Sequence, residues 1–256
     1  MIIMNIKIGA QYYTIRDFCQ TIEDFDSSCK KVSEIGYQAV QLSGIGNFTA
    51  DEIKPILDKY GLKVVCTHRP AQNYLENLEN EIAFHKAIGC DICGLGAMPK
   101  FSAARENIIE FCKQYAPICE KLKENGLVFA YHNHAFEFEK IDGQFAFDFL
   151  LENIKSDHFK LILDVYWLSY AGVNPAKFIR EHKDHIACVH FKDLKIVKTK
   201  PCFAEVGQGN IDWDDVISAC EEAGVEYALV EQDECDGNPF DSLKISFDFL
   251  KEKGLE

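Results

Sequence analysis

Three ligating side chains stand at the ends of apolar runs in the second half of the sequence. Asp164 ends LILD, His190 ends ACVH and Glu231 ends ALVE. A carboxylate that emerges from a buried run is costly to desolvate unless a cation or hydrogen-bond donors compensate it. Imidazole and carboxylate are also ligands for Mn²⁺, Zn²⁺ and Co²⁺. If the three runs are neighbouring parallel strands, their ends predict a divalent-metal site that oxygens of water or of a polyol would complete.

Each of the three residues also has a purely structural explanation. Asp164 could cap the next helix, His190 could be a hydrogen-bonded core histidine, and Glu231 could pair with a nearby lysine. Their occurrence at matching ends of consecutive runs favours the metal site. Other predicted strand ends carry further polar groups, namely His68 and the triplet His132, Asn133 and His134.

The elements that must position these residues follow a repeated phrase, in which a polar helical end passes through glycine into an apolar strand. It occurs as EIGYQAVQL, KYGLKVVCTH, AIGCDICGLG, ENGLVFAYH and EAGVEYALVE. Glycine suits the left-handed position just past a helix, and unbroken apolar runs are typical of strands covered on both faces. The phrase therefore predicts a helix, a short turn and a parallel strand.

Three more strands complete a set of eight: IKIGAQ at 6–11, FKLILDVYW at 159–167 and HIACVHFKD at 185–193. The segments between strands predict helices at 17–34, 50–59, 74–88, 102–124, 144–154, 174–182, 212–222 and 240–252. Alternation of eight strands with eight helices predicts an α/β fold, a single (β/α)₈ TIM barrel over residues 1–256 with a parallel eight-stranded sheet. An open doubly wound sheet is the rival, but GAQYYTIRD lacks its glycine-rich fingerprint.

Composition limits the classes of partner. A net charge of −14 opposes binding to nucleic acid, and no apolar run is long enough to span a membrane. The amino-terminal residues do not resemble a secretion signal, so we expect a cytoplasmic protein whose eleven cysteines are reduced thiols packed in the core. The lone pair Cys90 and Cys93 is a weaker candidate for a metal or redox site.

Five phrases resemble, in order, the sugar phosphate isomerase/epimerase family of xylose isomerase-like barrels: YHNHAFEFE, DVYWLSYAG, HFKD, EVGQGNIDW and VEQD. The resemblance covers essentially the whole barrel and implies a metal held by Glu, Asp, His and Glu from strands five to eight. Asp164, His190 and Glu231 match the last three positions. His132 stands in place of the first glutamate and is our preferred fourth ligand, with Glu137 and His134 as alternatives. We expect Mn²⁺ first, and Zn²⁺, Co²⁺ or Mg²⁺ as alternatives.

The resemblance implies a metal-dependent isomerase or epimerase of carbohydrate metabolism, acting on a sugar or sugar phosphate by proton transfer beside a carbonyl. Glu231 would be one acid or base, and His134 or Glu137 would take the role of the missing glutamate. Family members often form dimers or tetramers, so a homo-oligomer is expected. Candidate substrate-binding residues, taken from neighbouring strand ends and loops, are His68, Gln11, Gln41, Trp167, Lys192 and Glu205.

Two other functions remain open. An HxH on the fifth strand resembles inosose dehydratases, lyases that act on a keto-polyol, and the altered fourth ligand also fits a non-catalytic barrel that binds a sugar or a metal. Lys192 could instead pair with Asp193, and Glu205 could belong to a turn that positions the helix after Asp212. The basic stretch 192–200 is expected to be a solvated loop.

Overall fold

The glycine-marked phrases form the strands of a closed barrel. A computed structural model describes residues 5–256 of the chain. The amino-terminal residues 1–4, on which the expectation of no secretion signal partly depends, lie outside the described residues. The barrel strands are β1 (Lys7–Gln11), β2 (Ala39–Leu42), β3 (Lys63–Thr67), β4 (Ile92–Leu95), β5 (Val128–His132), β8 (Phe159–Asp164), β9 (Ile186–Phe191) and β12 (Tyr227–Val230).

Each barrel strand pairs in parallel with its neighbours, and β1 closes the ring against β12. The predicted (β/α)₈ TIM barrel is thereby confirmed; that residues 1–256 form one domain stays a prediction. The helices are α1 (Ile22–Ile35), α2 (Ala50–Lys59), α3 (Ala71–Glu76), α4 (Leu78–Ile88), α5 (Arg105–Glu124), α6 (Ala146–Asn153), α7 (Val165–Tyr170), α8 (Pro175–Glu181), α9 (Trp213–Glu222) and α10 (Pro239–Glu252). Three 3-10 turns lie at Tyr12–Phe18, Phe136–Phe138 and Lys183–His185. No helix in the described part of the chain has the length and apolarity needed to span a bilayer.

Several boundaries differ from the prediction. The first helix begins at Ile22 rather than 17, because a 3-10 turn occupies Tyr12–Phe18 and Thr21 caps α1 by accepting from the Asp24 amide. The predicted helix 74–88 is two helices that meet at Asn77. A short helix, α7, follows Asp164 directly where the sequence suggested a strand reaching 167.

The basic stretch 192–200 is not a solvated loop. It contributes β10 (Asp193–Val197), which pairs antiparallel with β11 (Lys200–Ala204). A second small hairpin, β6 (Lys140–Ile141) with β7 (Gln144–Phe145), follows the fifth barrel strand.

The barrel interior explains how the strands aim their terminal side chains. A buried cluster distinct from the main core comprises Ala39, Val65, Cys66, Ala130, Ile162, Cys188, Tyr227 and Leu229. Side chains on a strand alternate between its two faces, so the residue two positions after an inward residue also points inward. Asp164 follows Ile162 in this way, His190 follows Cys188, and the same step carries Ala130, Leu229 and Cys66 to His132, Glu231 and His68.

Candidate metal centre at the barrel mouth

Four buried side chains converge at the carboxyl ends of adjacent barrel strands. His132, Asp164, His190 and Glu231 each offer one ligand atom, and these atoms all lie within 4.8 Å of one another. They belong to β5, β8 and β9 and to the residue directly after β12, which are consecutive in the ring. The group is the ligand set predicted from the sequence, including His132 as the fourth member.

The histidines are oriented by oxygen atoms on their outer sides. His132 Nδ1 lies 3.0 Å from the carbonyl oxygen of Gly96, and His190 Nε2 lies 2.7 Å from Gln41 Oε1. Those oxygens can only accept, so each of these outer nitrogens carries the proton. The inner nitrogen of each ring faces a carboxylate oxygen: His132 Nε2 to Asp164 Oδ2 at 3.2 Å and His190 Nδ1 to Glu231 Oε2 at 3.0 Å. When the ring is neutral, this inner nitrogen presents a lone pair.

Two acceptors that face each other at this distance require a positive charge between or on them. A proton on the inner nitrogen can supply it at His190: burial lowers the pKa of that ring, but Glu231 and Asp164 raise it above its ordinary value overall. At His132 it cannot, because burial together with the neighbouring His190 lowers the pKa to about 3. A divalent cation among the four ligand atoms would satisfy both contacts, and an outer N–H bound to a fixed oxygen is the usual support of a metal-bound imidazole. The donor set of two imidazoles and two carboxylates therefore fits a divalent metal ion.

Asp164 uses its two oxygens for two purposes. Oδ1 accepts hydrogen bonds from the amides of Tyr166 at 2.8 Å and Trp167 at 3.2 Å, which caps helix α7. Oδ2 faces the histidines. Burial raises the pKa of Asp164, and the ammonium of Lys192 opposes that rise. The helix cap fixes the carboxylate so that one oxygen always points into the mouth.

Lys192 is a buried cation beside the two carboxylate ligands. Its Nζ lies 2.7 Å from Asp233 Oδ1, 3.3 Å from Glu231 Oε2 and 3.5 Å from Asp164 Oδ2. Although burial alone would raise it, the pKa of Glu231 lies well below its ordinary value because Lys192 and His190 stabilise the carboxylate. The alternative pairing of Lys192 with Asp193 is wrong, since the two side chains bind different partners.

Asp193 binds the loop that follows β11 instead. Its carboxylate accepts from the amides of Gly207 and Gly209 and from Trp213 Nε1, at 2.9, 3.0 and 2.7 Å. The phrases HFKD and EVGQGNIDW are therefore two halves of one structural unit that holds the end of β9 in place. Glu205 lies in this loop, where its Oε1 accepts from Ser242 Oγ at 2.7 Å, and it is not brought to the metal ligands.

Glu137 is buried, but it turns away from the four ligands. Its Oε1 accepts from the Tyr131 hydroxyl at 2.5 Å and its Oε2 from the His134 amide at 2.9 Å. Burial raises the pKa of Glu137 to about 7 even though these two donors lower it. The contact places His134 at the mouth, with its ring 4.8 Å from that of His132. Burial, reinforced by His132, lowers the pKa of His134 to about 3.

A cavity of about 720 Å³ opens beside the cluster, and two of the four residues, His132 and Glu231, line it. Its lining includes His68, His132, His134, Lys192 and Glu231. His68 Nε2, His134 Nδ1 and Trp167 Nε1 are buried, and none finds a hydrogen-bond partner within residues 5–256. The Trp167 ring lies 5.3 Å from that of His134, so these polar atoms are grouped around one side of the cluster.

Gln11 and Gln41 occupy paired positions of β1 and β2 and are not among the residues that line this cavity. Gln11 Oε1 accepts from the Tyr13 amide at 3.1 Å, and Gln41 Oε1 contacts His190. Both are fully buried, and their Nε2 atoms have no partner in the described chain. Gln41 thus orients a ligand rather than lining the cavity.

Two charged groups of the mouth were not identified from the sequence. Asp233 follows Glu231 by two residues in VEQD, and burial together with Glu231 raises its pKa to about 6. Arg69 lines the cavity after β3, three strands round the ring from β8 and from β12, and its guanidinium makes two hydrogen bonds to the buried Glu81. Asp233 could have been found from its spacing of two residues from Glu231. The position of Arg69 depends on the contact between the loop after β3 and Glu81 of α4, which the sequence does not indicate.

The cysteines take no part in the cluster. All eleven are free thiols in the structure, and nine of them are buried. Cys90 and Cys93 are separate from the four-ligand group of the described residues, so the weaker hypothesis of a metal site there gains no support.

Comparisons with known proteins identify one matching family and several similar structures. The profile of a family described as xylose isomerase-like TIM barrel matches residues 29–253. A sugar phosphate isomerase/epimerase from Parabacteroides distasonis has a similar structure, with a TM-score of 0.82, 18% identity, and coverage of 96% of this chain and 94% of that one. A D-allulose 3-epimerase from a Methylomonas species is also similar, with a TM-score of 0.76, 13% identity, and coverage of 98% of each chain. A probable 3-DHS dehydratase from Bacillus anthracis has a TM-score of 0.75 and 15% identity, with coverage of 96% of this chain and 99% of that one. No curated protein sequence matches this chain significantly.

Proposed function

Since this chain belongs to the xylose isomerase-like TIM-barrel family, we propose that it is a metal-dependent isomerase or epimerase of a sugar or sugar phosphate. The reaction would move a proton at a carbon beside a carbonyl group. Structural neighbours named as epimerases and as a sugar phosphate isomerase/epimerase support this class of reaction.

One observation carries the proposal. Two imidazoles whose outer nitrogens are bound to oxygen direct their inner nitrogens at two carboxylates, with the four ligand atoms within 4.8 Å of one another, and two of the four residues line a cavity. A bound divalent ion would polarise a substrate carbonyl and stabilise negative charge that develops on its oxygen. The carboxyl ends of the strands are where TIM-barrel enzymes hold their catalytic groups.

The protein's own residues divide the remaining work. Glu231 is kept ionised by Lys192 and His190, so it can accept a proton from a substrate carbon. His134 Nδ1 has no partner in the described chain and lies beside the cavity, so a neutral imidazole there can donate or accept the second proton. Trp167 and His68 offer nitrogen atoms that orient hydroxyl groups.

A dehydratase is the second candidate, and the state of Glu137 favours it. Strict epimerisation by two carboxylates needs a second acid facing the substrate, but Glu137 is bound to Tyr131 and to the His134 amide. A single carboxylate with a histidine suits loss of water beside a carbonyl, in which one group removes a proton and the other protonates the leaving hydroxyl. A structural neighbour named as a probable dehydratase is consistent with that chemistry.

The metal is tested first, by elemental analysis of purified protein after exposure to Mn²⁺, Zn²⁺, Co²⁺ or Mg²⁺. We expect about one ion per chain in the wild type and much less in Asp164→Ala and Glu231→Ala. Glu205→Ala is the matched control, because it also removes a carboxylate, but one that accepts a hydrogen bond from Ser242 and is not part of the four-residue cluster. Folded wild-type protein that binds none of these ions would refute the site.

The reaction is tested next, by incubating the loaded protein with ketoses and cyclic keto-polyols in D₂O. Exchange of a carbon-bound proton without loss of water supports the isomerase or epimerase, and formation of an enone supports the dehydratase. Glu231→Gln should abolish the exchange if that carboxylate is the base. Metal and sugar binding with no turnover of any substrate would instead support a non-catalytic binding barrel.

A further inference from the structure

The charges around the cavity indicate which kind of substrate it accepts. Resting on the proposed function, we propose that the site takes an uncharged polyhydroxy carbonyl compound, a free ketose or a cyclic keto-polyol, and discriminates against phosphate esters. Recognition of phosphate usually relies on Arg or Lys groups that are available for charge-assisted hydrogen bonds. Among the described residues that line the cavity, both such cations are already bound to carboxylates.

Arg69 is the first of these two cations. Its Nε and Nη2 bind the two carboxylate oxygens of Glu81 at 2.9 and 3.1 Å. Glu81 is only 3% exposed, and Asn73 also donates to it, so the pair is fixed on the side away from solvent. A guanidinium held in this way has little net charge to offer an anion in the cavity.

Lys192 is the second cation, and it is surrounded by acid groups. Its ammonium contacts carboxylate oxygens of Asp164, Glu231 and Asp233 within 3.5 Å. The three carboxylates exceed the one ammonium in charge, and a divalent ion on the predicted ligands would only balance that excess. A phosphate dianion would therefore meet a region whose charge is already balanced, where nothing compensates for the loss of its hydration.

The available hydrogen-bonding groups instead match hydroxyls. Trp167 Nε1, His68 Nε2 and His134 Nδ1 are buried polar atoms without partners in residues 5–256. An indole N–H donates, and an imidazole nitrogen donates or accepts according to its tautomer, which is the mixture of roles that a row of hydroxyl groups presents. His68 and His134 line the cavity, and the Trp167 ring lies 5.3 Å from that of His134. Leu42, Phe84 and Leu95 also line the cavity, and their apolar atoms suit the carbon faces of a sugar.

Calorimetric titration of the Mn²⁺-loaded wild type with a free ketohexose and with its 6-phosphate tests the proposal, because binding is measured independently of turnover. We expect the phosphate to bind about tenfold or more weakly. Equal or tighter binding of the phosphate would overturn this inference alone, and would direct attention to Arg16 at the rim, which bonds only backbone carbonyls of Tyr13 and Asp233 in the described chain. If no free ketose or keto-polyol and no phosphate ester binds, the proposed function fails as well.

A variant of Glu81 tests the cause of the discrimination. Glu81→Gln removes the charge that neutralises Arg69, so the affinity ratio of phosphate to free sugar should rise by about tenfold. Glu79→Gln is the matched control, because it removes the same charge from an exposed position of α4 paired with Lys121. An unchanged ratio in a folded Glu81→Gln protein would contradict the neutralisation of Arg69. If that variant does not fold, the wild-type titration decides the proposal.

Discussion

Replacement of Lys192 by methionine should make the stability of the protein depend strongly on metal. Lys192 is only 1% exposed, and its ammonium contacts three carboxylates. Methionine keeps much of the side-chain volume but leaves those carboxylates without their cation. Removal of one partner of a buried ion pair costs about 3–5 kcal/mol. We expect the free energy of unfolding of the metal-free protein to fall by about that amount.

Addition of Mn²⁺ should recover a large part of the loss. The ion would occupy the region next to Asp164 and Glu231, and these ligands would no longer be shared with an ammonium. A ligand at 100 times its dissociation constant adds about 2.7 kcal/mol to the folded state. The gain on adding Mn²⁺ should be larger in Lys192→Met than in the wild type at the same metal concentration, because the competing charge is absent.

Urea unfolding followed by circular dichroism, with EDTA or with Mn²⁺, measures both quantities. Lys195→Met is the matched control, because Lys195 lies three residues further on, in β10, and pairs with Asp236, which is 94% exposed. Its loss should stay below about 1 kcal/mol in either condition. The reasoning is refuted if Lys192→Met unfolds like the wild type without metal, or if its deficit is the same with EDTA and with Mn²⁺.

Three further predictions concern the structure around the site. The pKa of Glu137 is raised from 4.5 to about 7, so its contribution to stability is full below pH 4.5 and is lost as the pH rises through 7. Between pH 5 and pH 8 the wild type should therefore lose up to about 3 kcal/mol relative to Glu137→Gln in urea unfolding, and a constant difference would contradict this. A methyl group on Gly209 would overlap the carboxylate that its loop binds, so Gly209→Ala should cost about 1–3 kcal/mol, whereas Gly237→Ala, with open space around it, should cost much less. A thiol reagent should label at most Cys202 and Cys235 rapidly in the native protein and all eleven cysteines after unfolding; faster labelling of others would contradict their burial.

The strands could be predicted because their signal is local. Each glycine of the repeated phrase ends a helix with a positive φ, for example 71° at Gly89 and 69° at Gly224, and the apolar run that follows is long enough to identify. The hairpin β10–β11 was missed because its turn falls at Lys198 and Thr199, with φ of 46° and 70°. Neither residue type indicates a hairpin turn, which usually contains glycine or asparagine at such positions.

The convergence of the four candidate ligands could be predicted for the same reason, but the contacts that orient them could not. Side-chain alternation along a strand, together with closure of the barrel, brings the ends of four runs into one mouth. The atoms that orient the histidines come from elsewhere in the sequence: Gly96 lies 36 residues from His132, and Gln41 lies 149 residues from His190. No periodicity connects such pairs, so only the folded chain reveals them.

The structural and functional explanations of the strand-end residues are complementary rather than competing. Asp164 does cap the next helix, His190 does make a hydrogen bond in the core, and Glu231 does contact a lysine. In Asp164 and His190 the structural contact uses one polar atom and leaves the other directed at the mouth. A carboxylate or an imidazole has two such atoms, and a ligand must be held by one of them if the other is to be aimed. The ordinary contacts predicted as alternatives to a metal site are therefore the means by which the chain would aim the ligands of the proposed one.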